Sequence, residues 1–404
     1  MRILLLTQYF PPETGAPQNR LYDLVLKLQN KGATIQVLTA FPNYPQYKIY
    51  PGYEGHFSRR EEMVGMDVWR SWIYVSQKRS ILHRLLNYFS FTISSFIVGV
   101  FQIKKVDLII CESPPLFLGI TAVFLKWIKG ARLVFNVSDL WPESAVKLGI
   151  VTNSFLIKAS TALELWIYRN ADLISGQTQG IVRDIQVRFP KKKLIWLPNG
   201  VDPADLDSRI THRDWRKENG FQEADLLVYF GGLFGYAQGL DCILHAAVRM
   251  KDRPKVKFIM VGEGPEKERL MQMKADLDID NIYFFPGAPK SEIIDIILAM
   301  DIAIIPLKKV DLFLGAIPSK IFEILYLKKP VLLGIQGEAK ELFIDQANAG
   351  IAFEPENDEA LAGGIQYFLD HPEKISKYGE NGHQFVIRHF DRQRISSDFW
   401  NFIQ

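Results

Sequence analysis

Lys320 and Glu323 stand three residues apart at the start of a helical stretch introduced by Pro318 and Ser319. Pro and Ser suit the first position and the cap of a helix. A lysine in that first turn opposes the helix macrodipole, so its charge calls for another partner. A diphosphate bound at the helix start would supply one, and Glu323 on the same face could hold ribose hydroxyls. A solvated Lys320–Glu323 pair is the plainer alternative.

Other loops carry compatible chemistry. Gly231, Gly232, Gly235 and Gly239 follow an apolar run, with Gln238 among them. Backbone can approach a diphosphate there, although a turn with a bulge explains the same glycines. Gly262, Glu263, Gly264 and Pro265 make a tight turn after another run, and Pro286 follows a third. Near the N-terminus, a loop with Gly15 leads into a helical pattern containing Arg20. The absence of G-x-G-x-x-G argues against a dinucleotide. Asp139, Trp141 and Glu143 share one more loop. Indoles stack on sugar faces, and carboxylates bind hydroxyls or take their protons. Asp139 as a helix cap is the alternative there. No Asp-x-Asp lies in a metal-binding context, so neither a divalent ion nor another cofactor is expected.

Positioning these loops requires a scaffold. Apolar runs at residues 3–7, 34–39, 108–111, 132–137, 173–176 and 194–197 read as buried parallel strands, with helical patterns such as 19–31 and 116–129 between them. The series restarts with runs at 226–230, 257–261, 281–285, 302–306 and 330–333. Such alternation means βαβ units and an α/β fold of two doubly wound, Rossmann-like parallel sheets facing across a cleft. Pro198, Asn199 and Gly200 make a turn between the series. The expected domains are 1–200, binding the acceptor, and 201–388, binding the donor. The aromatic helix 389–404 is expected to pack back on the first.

At 404 residues the chain suits two cores of roughly 150–200 residues each. A net charge of +3 argues against a nucleic-acid partner. The widely separated Cys111 and Cys242 read as reduced core residues, consistent with the cytosol. The opening apolar run is too short for a signal peptide and reads as a first strand. Residues 85–103 are strongly apolar but diluted by Asn, Ser, Thr and Gln, which leaves a buried helix or one docked on a bilayer surface.

With these residues in view, the chain resembles family-4 retaining glycosyltransferases of the GT-B fold over essentially its whole length. The supports are Pro11-Pro12-Glu13-x-Gly15, Pro198-Asn199-Gly200-Val201-Asp202, Val261-Gly262-Glu263-Gly264-Pro265 and Pro318-Ser319-Lys320-x-x-Glu323. Ser113-Pro114-Pro115, Ser138-Asp139-Leu140-Trp141-Pro142-Glu143 and Ala237-Gln238-Gly239-Leu240-Asp241 narrow the likeness to bacterial O-antigen, capsule and exopolysaccharide transferases, fucosamine transferases included. The family's first donor-site glutamate falls on Gly315. Its diphosphate-binding Arg and Lys fall on Gly232 and Gln238, and its loop histidine on Ser138. Lys320, with Arg20 from the first domain, would replace the missing cations.

The resemblance implies a metal-independent, retaining hexosyltransferase. It would move a sugar, such as an N-acetylated deoxyhexosamine, from a UDP-sugar to a lipid-linked saccharide. Asp139, Lys320 and Glu323 would be catalytic. Gly15, Arg20, Gly231, Gly232, Gln238, Glu263, Pro286, Pro318 and Ser319 would bind the donor, and Trp141 and Glu143 the acceptor. A nucleotide-sugar epimerase and a catalytically weak partner subunit are the alternatives. The expected location is cytoplasmic, peripheral on the inner face of the cytoplasmic membrane, as monomer or homodimer. Region 69–105 would meet an anionic surface through Trp69, Trp72, Tyr74, Tyr88, Lys78, Arg79, Arg84, Lys104 and Lys105.

Overall fold

The computed structural model describes residues 1–13, 15–78, 80–147 and 151–404, without the Lys290 side chain. Arg79, singled out above, lies outside the described residues. The chain divides into two units, Met1–Pro198 with Gln393–Gln404, and Asn199–Arg392.

The first unit holds strands β1 (Arg2–Leu6), β2 (Thr34–Ala40), β3 (Ser58–Met63), β4 (Met66–Ser71), β5 (Leu108–Ser113), β6 (Arg132–Val137), β7 (Leu173–Gly176) and β8 (Lys193–Trp196). Its helices are α1 (Ala16–Asn30), α2 (Ile81–Phe101), α3 (Leu118–Lys129), α4 (Glu143–Lys147), α5 (Ser154–Asn170) and α6 (Gln179–Arg188). The strand order is β3-β4-β2-β1-β5-β6-β7-β8. Central strands are buried on both faces, which is why they read as unbroken apolar runs. Leu5 of β1 sits in register with Val37 on one side and Ile110 on the other.

This sheet is parallel, as the sequence reading expects, except at one edge, where that reading misses a strand. β3 runs antiparallel to β4 through a turn at Val64 and Gly65, where φ is 49° and 74°. Two consecutive positive φ values give the twist a tight hairpin needs. β3 escapes detection because it has no apolar run. Arg60 pairs with Asp67 at 2.6 Å and Arg70 with Glu61 at 2.7 Å, and a charged edge strand resists pairing with other chains.

The second unit holds β9 (Leu226–Gly231), β10 (Val256–Val261), β11 (Ile282–Phe285), β12 (Ile302–Pro306), β13 (Val331–Gly334) and β14 (Gly350–Ala352). Helices α7 (Pro203–Asp207), α8 (Trp215–Glu218), α9 (Asp241–Arg249), α10 (Lys267–Asp276), α11 (Lys290–Ala299), α12 (Lys320–Tyr326), α13 (Glu338–Lys340), α14 (Asp358–Asp370) and α15 (Glu373–Phe390) surround it. All strand pairs are parallel, in the order β11-β10-β9-β12-β13-β14. Within the unit this is the 3-2-1-4-5-6 arrangement, whose direction reverses between β9 and β12. The final helix, α16 (Arg392–Ile403), buries Phe399 and Ile403 in the cluster that holds Ile3, Leu5 and Leu21 of the first unit.

Of the two expected placements of residues 85–103, helix α2 departs from the buried one. It is not a buried core helix, since Leu82, Ile93 and Phe101 are 63%, 61% and 77% exposed. The aromatics assigned to a bilayer surface also change. Trp69 and Tyr88 are half-buried, Trp69 against the core cluster, and Tyr74 is half-buried too; only Trp72 of the four is exposed.

Candidate functional site

In doubly wound sheets, ligands bind beyond the carboxyl ends of strands where the strand order reverses. In the second unit that point lies between β9 and β12. The loop after β9 carries Gly232 and Gln238, and the chain after β12 leads to Pro318, Ser319 and α12. Residues far apart in sequence are thereby brought around Lys320.

The Lys320 ammonium lies 4.1 Å from the centroid of the Phe230 ring and 3.3 Å from Gln238 Oε1. A Cβ at Gly232 would stand 3.5 Å from Lys320 Nζ. No carboxylate pairs with this lysine among the described residues, and burial of the unpaired ammonium draws its pKa down to about 7. Removing an unpaired cation from water is costly, so the site is primed for an anion. The two positions where the resemblance expects further cations, Gly232 and Gln238, therefore border Lys320 itself.

Glu323 does not pair with Lys320, which removes the solvated-pair alternative. Its half-buried carboxylate makes no ion pair or side-chain hydrogen bond among the described residues. Together with burial, its charge pushes the Tyr229 phenol pKa upward. Ser319 also differs from expectation. It sits before α12 with φ −60° and ψ −27°, and its hydroxyl makes no cap hydrogen bond. A capping residue adopts the β region, and helical angles here turn the side chain away from the first-turn N–H groups.

The neighbouring loops are locked by contacts that only glycine allows. A Cβ on Gly262 would lie 1.9 Å from the carbonyl oxygen of Gly232. Gly232 N–H donates to Val261 O at 2.9 Å, and Phe234 N–H to Glu263 O at 2.8 Å. The turn after β10 thus clamps the loop after β9, in which Gly231 is the last strand residue. Glu263 is exposed and pairs with Lys267 at 2.7 Å, and that bond holds its carboxyl below the usual range. Pro286 is exposed on the next loop, and a Cβ at its neighbour Gly287 would stand 3.5 Å from Glu263 Cγ.

In the first unit, the strand order reverses between β1 and β5. Gly15 precedes α1 with φ 168°, an extended angle open to any residue; a Cβ there would meet Gln18 Oε1 at 2.5 Å. Glycine at this position leaves room for that side chain rather than permitting an unusual turn. Arg20, expected to supply a cation to the donor, is committed elsewhere. It is buried, and its Nη2 donates to Glu112 Oε1 at 2.5 Å and to Ser138 Oγ at 2.9 Å. With its charge neutralised inside the fold, its Nη1 is buried without a partner among the described residues.

Glu112 was not singled out from the sequence. Its Oε1 also accepts from Ser138 Oγ at 2.5 Å and its Oε2 from Asn136 Nδ2, while Ser175 Oγ donates to Asn136 Oδ1 at 2.7 Å. One hydrogen-bonded chain therefore crosses the ends of β5, β6 and β7. A signal existed in the sequence: Glu112, Asn136 and Ser175 are polar residues at the ends of otherwise apolar strands. Buried networks of this kind fix a unique local geometry when satisfied. Here the network anchors Ser138, and with it the neighbouring Asp139.

Asp139 is half-buried, and burial raises its carboxyl pKa; a hydrogen bond from the Ser144 side chain opposes the rise and the charge of Glu143 adds to it. Ser144 lies in the first turn of α4, so Asp139 also ties down that helix start. Trp141, expected to offer a stacking face, is half-buried and packs edge-on to Phe117 with centroids 5.4 Å apart, largely committing its indole to the core. Glu143 is exposed and pairs with Lys147 at 2.6 Å. Among the described residues, no three His, Cys, Asp or Glu side chains converge as metal ligands.

Comparison with known proteins places this geometry in context. Residues 15–200 match the Glycosyl transferase 4-like domain, and residues 211–385 match Glycosyl transferases group 1. WcaI of Escherichia coli (strain K12), which its name assigns to colanic acid biosynthesis as a glycosyl transferase, is 27% identical over 100% of both chains. Among solved structures, sucrose-phosphate synthase from Thermosynechococcus elongatus superposes with TM-score 0.75 at 16% identity, over 100% of this chain and 98% of that one. Anabaena HepE in complex with UDP-glucose superposes with TM-score 0.69 at 17% identity, over 100% and 99%. Two glycosyltransferase family models thus match successive parts of the chain, and its two α/β units have the GT-B fold of these solved structures.

Proposed function

We propose that this protein is a metal-independent, retaining glycosyltransferase. It moves a sugar from a UDP-sugar onto a lipid-linked saccharide during synthesis of a bacterial surface polysaccharide. The sugar class we favour is an N-acetylated deoxyhexosamine of the fucosamine type, on the likeness of the 113–115, 138–143 and 237–241 loops to that subgroup. The enzyme would work as a peripheral protein on the cytoplasmic face of the membrane. The observation that carries the reading is Lys320, an uncompensated cation at the strand-order reversal of the second unit.

Loss of the sugar leaves charge on the nucleoside diphosphate, and catalysis of that step requires fixed positive charge where it develops. Lys320 supplies it, bordered by Gly232 and Gln238, while Glu323 holds donor hydroxyls. UDP bound to the similarly folded HepE supports this nucleotide class. Asp139 orients the acceptor hydroxyl or takes its proton, and the leaving phosphate can share that task.

A panel of nucleotide sugars incubated with a lipid-linked acceptor tests the reading. Sugar transfer to the acceptor is expected. Epimerised donor without transfer, or no turnover with any donor, overturns it. Lys320→Ala should cost on the order of 2 kcal/mol or more in kcat/KM, the size of a charge-assisted contact. A loss below about 0.5 kcal/mol would mark a merely solvated charge.

The sign of the pH effect follows from the free lysine's pKa of about 7. A bound diphosphate raises that pKa, so binding takes up a proton above pH 7. Affinity for a UDP-sugar should be greatest below about pH 7 and decline above it. Calorimetric titration across this range checks it, and Lys320→Ala should flatten the profile. Glu323→Gln is expected to weaken UDP-sugar binding about tenfold or more with an unchanged unfolding midpoint, the scale of one hydrogen bond to a charged group. Unaltered affinity and turnover would remove Glu323 from the site.

A further inference from the structure

Helix α2 exposes more apolar surface than suits a protein surrounded by water. Its buried positions are Phe91, Thr92, Ser94, Ser95, Val98 and Gly99, mostly small or polar, while its exposed positions include Leu82, Leu86, Phe89, Ile93, Ile97 and Phe101. The small polar residues serve packing. Ser94 Oγ donates to Trp72 O, and Thr121 Oγ1 donates to Thr92 O at 2.7 Å. A Cβ on Gly99 would lie 2.6 Å from the Leu125 side chain, so α2 and α3 approach closely. The exposed residues recur every three or four positions and form one apolar stripe. Phe124 and Trp127 of α3 are also exposed and pack edge-on with the Phe96 and Trp166 side chains. A surface helix in water keeps its large apolar residues toward the core, and this one, beyond Phe91 and Val98, turns most of them outward.

The charges around the stripe identify what covers it. No acidic residue occurs between Asp67 and Asp107, or anywhere from residue 113 to residue 138. Lys78 and Arg84 lie at the start of α2 and Lys104 and Lys105 just beyond its end, all exposed and without an ion pair among the described residues. An apolar stripe with cations at both ends complements a lipid monolayer carrying anionic headgroups. α2 has the length and hydropathy of a membrane span. However, its hydrogen-bonded face is part of the first unit's packing, which fits a helix lying in the interface plane.

We propose that α2, with the exposed aromatics of α3, inserts in the plane of an anionic bilayer leaflet and seats the first unit on it. This deepens the reading of a lipid-linked acceptor and rests on it for its purpose. Contact is made by an inserted apolar stripe, with the flanking cations adding selectivity for anionic lipid.

Density-gradient flotation of the whole protein tests this, with vesicles of phosphatidylcholine alone and with phosphatidylglycerol added. The protein should float with both, more strongly with the anionic lipid, and be released by alkaline carbonate. The double substitution Leu82→Gln and Ile93→Gln, at exposed positions, should reduce partitioning about tenfold or more on both compositions. Lys104→Glu with Lys105→Glu should weaken binding only to the anionic vesicles, again about tenfold. Transfer onto a water-soluble acceptor sugar, measured alongside, should be unchanged by either pair.

A wild-type protein that transfers sugar but never floats overturns the surface. So does a Leu82/Ile93 variant that floats normally, or resistance to carbonate. A self-associating protein that ignores vesicles and becomes monomeric in that variant shows that a second copy covers the stripe. A protein that floats without transferring sugar leaves the surface standing and refutes the transferase reading alone.

Discussion

Replacing Asp139 by Asn should lower turnover about a hundredfold or more while leaving UDP-sugar affinity within about twofold, since positioned proton transfer contributes roughly 10²–10⁴. The substitution keeps the side chain's size and its link to Ser144 while removing the ability to take a proton. An interaction that matters mainly in the transition state appears in kcat and not in donor binding. Burial raises this carboxyl's pKa, so the wild-type rate should fall as pH drops through a value above the ordinary aspartate range. That acidic limb should vanish in the Asn variant. Rapid-quench turnover with saturating donor and acceptor, paired with calorimetric donor binding, separates the two quantities. An unchanged kcat would assign proton removal to the donor phosphate alone.

Glu112→Gln should destabilise the first unit by about 3–5 kcal/mol, the usual consequence of leaving one partner of a buried ion pair uncompensated. Arg20 and Glu112 are only 6% and 3% exposed, so water cannot replace the lost carboxylate. Urea denaturation followed by tryptophan fluorescence measures the loss. Pairing Glu112→Leu with Arg20→Met removes both charges and should recover most of the stability. It should not recover turnover, because Ser138 loses the acceptor that holds the Asp139 loop in place. A single substitution costing under about 1 kcal/mol would mean that the pair is solvated. Full turnover in the double variant would reduce the network to scaffolding.

Much of the fold was legible because its signals are local. Continuous apolar runs such as those of β1, β6 and β12 report strands buried on both faces, whatever their neighbours. The alternation of such runs with helical patterns indicated two doubly wound sheets before any contact was known. Lys320 could be singled out because a lysine in a first helical turn contradicts a local electrostatic rule. β3 could not, because a charged edge strand has no apolar period to read.

What only the tertiary structure decided concerns which groups meet. Sequence spacing set Glu323 beside Lys320 on the helix, but packing gave Lys320 to Phe230 and to Gln238, 82 residues away. Arg20 carried no mark of its partner Glu112, 92 residues on, because β1 and β5 become neighbours only when the sheet is ordered. The apolar content of α2 was plain in the sequence, whereas the face it turns outward depended on small residues fitting against α3. Periodicity is a property of one segment, set by its own backbone geometry. Ion-pair partners, loop clamps and the outward face of a helix follow from strand order and packing, which bring distant segments within reach of one another.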